Sequence, residues 1–94
     1  MKLISQILRL LKSGKVKIEH RLIRDYGYCY INERIIIRAT LCESNKVRTL
    51  IHECVHWLYP ELNEKTVLEI ESDLFESLSV KEYGRLVFFL EVSE

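Results

Sequence analysis

The stretch His52-Glu53-Cys54-Val55-His56 is the place in this chain where residue types and spacing together describe a reaction centre. His52 and His56 are separated by one helical turn, so a helix puts both imidazoles on one face, with Cβ atoms about 5 to 6 Å apart. One cation bridges such a pair. Zinc suits neutral imidazole nitrogen, and a catalytic zinc takes three protein ligands while keeping a fourth position for water. Glu53 follows His52 directly, so its carboxylate leaves the helix at an angle and reaches that water rather than the metal, which is the place of a general base. The alternative is a row of solvated polar side chains on a surface helix. A chain of this composition contains the pattern by chance roughly once in a hundred, and Val47, Leu50, Ile51, Val55 and Leu58 give the same segment an apolar side to bury.

A third ligand has to come from elsewhere, and the following segment reads TVLEIESDLFESL. On a helix Glu69 and Asp73 share a face, whereas Glu71 points nearly opposite. One arrangement makes Glu69 the ligand and Asp73 the acceptor that orients a ligand imidazole and sets its tautomer. Amphipathicity argues otherwise: Val67, Ile70, Leu74, Phe75 and Leu78 form an apolar sector centred near Glu71, which would turn Glu71 inward and Glu69 outward. Both hold if the helix is covered on two sides, with the apolar segment around Leu86, Val87, Phe88, Phe89 and Leu90 as the second cover.

The elements that must position these residues are legible in outline. Ile4, Ile7, Leu8 and Leu11 recur at helical spacing, and Gly14 follows as the stop. Val16, Ile18, His20 and Leu22 alternate with Lys17, Glu19 and Arg21 as in a half-buried strand. Turn residues Asp25, Tyr26 and Gly27 lead to a second strand through Tyr28–Ile31, whose tyrosines are expected to pack. Asn32 and Glu33 connect it to a third, Arg34 to Ala39. These read as three antiparallel strands. A helix then starts with Ser44 or Asn45 as its cap and runs to Tyr59, before Pro60. Asn63 caps the next, Glu64 to Leu78. Ser79 and Glu82 form a capping box that favours a helix over residues 79–94, although Leu86, Phe88, Leu90 and Val92 also alternate like a strand. The expected fold class is α+β: an N-terminal helix, a small three-stranded antiparallel sheet, the helix bearing HECVH, a glutamate-bearing helix and a C-terminal segment that is helical.

With 94 residues the chain forms one domain, because burial becomes inefficient in anything much smaller. A hydrophobic fraction of 48% and a charged fraction of 30% are those of a globular protein. Fourteen Lys and Arg balance fourteen Asp and Glu, which removes the uniform positive field of a non-specific nucleic-acid binder. No nucleic-acid partner is expected. The first half is nevertheless the more basic and the second the more acidic. Cys29, Cys42 and Cys54 lack C-x-x-C spacing and read as reduced thiols of a cytoplasmic protein. Gln6, Arg9 and Lys12 interrupt the N-terminal apolar run, and no stretch is long enough for a membrane span.

From Thr49 to Leu78 the sequence resembles the gluzincin metallopeptidases, in which HExxH on one helix is completed by a Glu on the next. HECVH matches the first motif in full, and EIESDLF is similar to the thermolysin-type glutamate helix. The resemblance implies zinc bound by His52, His56 and Glu69, with Glu53 as catalytic base and Asp73 supporting His52. Small size and a short spacer are most similar to the minigluzincins, soluble relatives of membrane-embedded peptidases. That likeness implies a latent form, its cleft obstructed by residues 79–94 within one chain or across a homodimer. It supplies no match for an oxyanion-stabilising Tyr or His, for which Tyr59, Tyr83 and Arg85 are the candidates. The expected activity is zinc-dependent hydrolysis of a peptide or protein substrate laid against an edge strand, for which Ile35 to Ala39 is the expected rim. The alternative is a non-catalytic interaction module that zinc stabilises.

Overall fold

The computed structural model describes residues 1–94. Its elements are α1 (Leu3–Lys12), β1 (Lys17–Arg21), β2 (Gly27–Tyr30), β3 (Arg34–Arg38), α2 (Glu43–Leu58), α3 (Glu64–Ser77) and α4 (Val80–Val92), an α+β fold. Most boundaries lie where capping chemistry puts them. Gly14 takes φ 77° after α1. The Asn63 side chain accepts from Thr66 N at 2.8 Å to open α3. Ser79 and Glu82 bond reciprocally at the start of α4, so the C-terminal segment is helical over Val80–Val92 rather than extended. The exception is α2, which begins at Glu43 with Cys42 in the N-cap place and no side-chain cap, ahead of the expected Ser44 or Asn45.

The sheet departs from expectation in its topology. Its order is β1-β3-β2, with β2 antiparallel to β3 and β1 parallel to it, so the sheet is mixed rather than antiparallel throughout. Burial gives the reason. Ile35, Ile36 and Ile37 are 0%, 5% and 0% exposed, and an unbroken apolar run of this kind belongs in a central strand. The alternating strands β1 and β2 are half-exposed and occupy the two edges. The chain therefore steps over β3 between Leu22 and Tyr26, and Arg38 ties the crossing down by donating from its backbone N to Tyr26 O and from Nη1 to Arg24 O.

Helix α2 is the hub. It packs on β2, β3, α1, α3 and α4, and buries Val47, Leu50, Ile51, Cys54 and Val55 completely. At about 1.5–3 kcal/mol for each large apolar side chain taken out of water, that stripe does much to hold the domain together. Helix α1 adds Ile4, Ile7 and Leu11, α3 adds Val67, and α4 adds Leu86 and Leu90. No helix is long and apolar enough to cross a membrane.

Candidate metal centre

The side of α2 that is not apolar faces a cleft of about 670 Å³. Arg48, His52 and His56 line it at successive turns, with Asn45, Thr49 and Glu53 in the neighbouring row. Strand β2 forms the opposite wall, and the first turns of α3 close one end with Glu64, Leu68 and Glu71. The chain reaches α3 through Tyr59 to Asn63, where Pro60 ends α2 and Leu62 N donates back to Tyr59 O. This short connection delivers Glu64, the first residue of α3, directly to the two imidazoles.

The Glu64 carboxylate straddles them. Its Oε1 lies 2.5 Å from His52 Nε2 and its Oε2 lies 3.1 Å from His56 Nε2. On its other side His52 Nδ1 donates to Glu71 Oε1 at 2.9 Å, and Arg48 Nη1 donates to Glu71 Oε2 at 3.4 Å. Arg48 is itself seated on the Phe75 ring, 4.2 Å from its centroid. Burial disfavours the charged form of His52, but Glu71, Glu53 and Glu64 outweigh it and leave the imidazole pKa above its ordinary value.

Glu53 is 6% exposed, on the floor of the cleft. Burial pushes its carboxyl up to about 7, with Glu64 and Glu71 adding to the shift and His52 opposing it. Gly27 makes this floor. A Cβ at that position would stand 2.7 Å from Ile36 O, 2.7 Å from Thr49 Cγ2 and 3.4 Å from Glu53 Oε2, so β2 lies this close to α2 only because residue 27 has no side chain.

The donor set suits a metal ion. One ligand atom from each of His52, His56 and Glu64 lies within 4.8 Å of the others. Two imidazole nitrogens and a carboxylate oxygen about a common centre are ligands that zinc accepts, and donors around a tetrahedral zinc stand roughly 3.3 Å apart, which needs only small side-chain movements here. Glu71 on Nδ1 fixes the tautomer that aims Nε2 at the shared centre, the carboxylate–histidine arrangement found behind metal ligands.

His52, Glu53 and His56 thus come together as their spacing implied, and Glu69 and Asp73 do not join them. Both are exposed on α3 and neither lines the cleft. The apolar sector of α3 turns toward α2 and carries Glu71 with it, so periodicity rather than motif similarity describes this helix. Glu64 was missed as the third candidate ligand, although its position directly after the Asn63 cap and seven residues before Glu71 puts both carboxylates on one face of α3.

Three further expectations are corrected. The strand expected as substrate rim, Ile35 to Ala39, is central and has no free edge; β2 is the edge on the cleft. Residues 79–94 do not obstruct the cleft of their own chain, because α4 packs on α1 and α2 and contributes nothing to the lining. The oxyanion candidates lie elsewhere too: Tyr59 Oη donates to Gln6, Tyr83 Oη donates to Glu43, and Arg85 is exposed outside the cleft. No family profile, curated protein or solved structure matches the chain.

Proposed function

We propose that the protein is a metal-dependent peptidase of the HExxH type, with His52, His56 and Glu64 as ligands for zinc, Glu53 as general base and Glu71 as the acid that orients His52. The observation that carries this reading is the convergence of the two imidazole Nε2 atoms on one carboxylate, beside a second, buried carboxylate that lines an open cleft. Zinc held there would supply Lewis acidity, polarising a scissile carbonyl and bringing the pKa of a water toward neutrality.

The chain's own groups do the rest. Glu53 has no hydrogen-bond partner on the protein and a pKa of about 7, the balance a group needs to take a proton from water and return it to a leaving amine near neutral pH. Glu71, anchored by Arg48, holds the His52 ring in place while charge develops. An extended peptide added to the free edge of β2 would bring its backbone past the metal ligands, since that strand forms the wall facing them.

Glu53→Gln tests the reading. The amide keeps the shape of the side chain but cannot accept the proton, so zinc affinity and fold should persist while cleavage of a denatured protein substrate falls by a factor of 10² or more. Unchanged cleavage would sink the mechanism. If neither form cleaves any peptide while zinc still raises the melting temperature, the zinc-stabilised interaction module becomes the better account.

A further inference from the structure

The face of the sheet turned away from α2 carries none of the candidate metal ligands, although its Tyr26 and Tyr28 also line the cleft, and its composition follows from strand register. Lys17, Arg34 and Tyr30 form one row across the strands, and Glu19, Ile36 and Tyr28 form the next. Arg21 and Arg38 begin a third, which Tyr26 joins through the bond from Arg38 N to its carbonyl. Gly27 and Cys29 alternate with these tyrosines and point to α2.

One face therefore carries four cations and Glu19, with Glu33 meeting Arg34 from the β2–β3 turn at 3.4 Å and Asp25 accepting from Tyr28 Oη at the other end, a small positive excess in a chain whose charges balance at fourteen each. Glu19 is shared among Lys17 at 3.9 Å, Arg34 at 3.7 Å and Arg21, so the three carboxylates compensate the four cations only in part. Along the β2 edge, Tyr26, Tyr28 and Tyr30 are 58%, 41% and 44% exposed. Residues two apart on a strand are about 6.8 Å apart, which makes these rings a ladder in water rather than part of a core. The Arg34 guanidinium lies 5.3 Å from the centroid of the Tyr30 ring.

We propose that this face binds a single-stranded polynucleotide, with phosphates held by Lys17, Arg21, Arg34 and Arg38 and unpaired bases stacked on Tyr28 and Tyr30. Cations track a phosphate backbone, and exposed aromatic rings take the faces of bases that are not already stacked. A duplex offers no free base faces. A second copy of the chain would set four cations against four. Balanced composition conceals such a surface because strand pairing segregates charge that the sequence intersperses.

The experiment is fluorescence anisotropy of the intact chain with labelled twenty-nucleotide DNA and RNA single strands, the matching duplexes and inorganic polyphosphate as competitor. Both or one of the single strands should bind, with the duplex at least tenfold weaker. Tyr28→Ala and Tyr30→Ala should each weaken binding about tenfold or more, with Tyr28→Phe retaining it. Lys17→Gln and Arg21→Gln should each make the log–log salt dependence shallower by about 0.7. Circular dichroism and zinc affinity should be unchanged in all of them, which separates this result from the candidate metal site. No binding at low salt overturns the proposal. Equal binding of duplex or polyphosphate with no loss in the tyrosine variants also overturns it, as does self-association without affinity for oligonucleotides.

Discussion

Glu64 and Glu71 occupy the same face of α3 and approach different nitrogens of His52, which gives them separable roles. Glu64→Ala removes a proposed ligand, and Glu71→Ala frees the ring. The second should lower zinc affinity about 10- to 100-fold, the range for groups that orient a ligand. Glu64→Ala should lower it further, and Glu69→Ala should leave it unchanged, all measured by competition with a chelating indicator. A larger loss for Glu69→Ala than for Glu71→Ala would restore the motif alignment that the geometry sets aside. Gly27 provides a second test at this scale. Gly27→Ala drives a methyl into the Ile36 carbonyl and Thr49, which should cost about 1–3 kcal/mol in urea denaturation and lift β2 away from Glu53. Wild-type stability in that variant would show that β2 has room to move. The histidines and Glu53 were legible in the sequence because their chemistry depends on spacing within one helix. Glu64 was not, because a third ligand depends on how two helices pack.

At the scale of elements, α4 is a structural part of the domain rather than a lid. Leu86 and Leu90 are 0% and 3% exposed against α1 and α2. Removing the chain after Tyr83 deletes both, a loss of about 3–6 kcal/mol at the usual value per side chain, comparable with the whole stability of a small domain. The truncated chain should therefore lose its cooperative melting transition instead of gaining peptidase activity; a folded and more active truncation would reinstate latency. The same distinction separates what sequence reading finds from what it misses among these elements. Caps such as Asn63 and Ser79 act through neighbours in sequence, so the helix boundaries were readable. The position of β3 between β1 and β2 depends on which strand buries both faces. The run Ile35-Ile36-Ile37 carries that signal, whereas the alternation in each strand says nothing about which strands are neighbours.

Across the whole molecule, His20 joins the first edge of the sheet to the last helix. Its Nε2 lies 3.1 Å from the Leu90 carbonyl and 2.8 Å from Ser93 Oγ, while Lys46 Nζ approaches Nδ1 at 3.5 Å. Burial lowers the pKa of His20; Lys46 lowers it further, and Glu94 and the Leu90 carbonyl pull the other way. The folded state thus binds a proton less readily than the unfolded chain. The His20 contribution is complete above the unfolded value of about 6.5 and is lost as pH falls through the lower folded value. Urea denaturation at pH 8 and pH 5 should show a smaller acid-induced loss of stability in His20→Gln than in the wild type. An equal loss in both would assign the pH dependence to other groups.

The short link from Tyr59 to Asn63 has a consequence for the order of assembly. Every atom proposed to grip the metal lies between His52 and Glu64, on one helical hairpin whose closure costs little chain entropy. The enclosure around Glu53, by contrast, needs Gly27 of the β2–β3 hairpin to dock against Thr49 and Glu53 on the later helix α2. Chelation is thus a local event and cleft formation a non-local one, and local contacts form faster. A refolding chain should capture its ion first and raise the affinity of its base for a proton later, when β2 arrives.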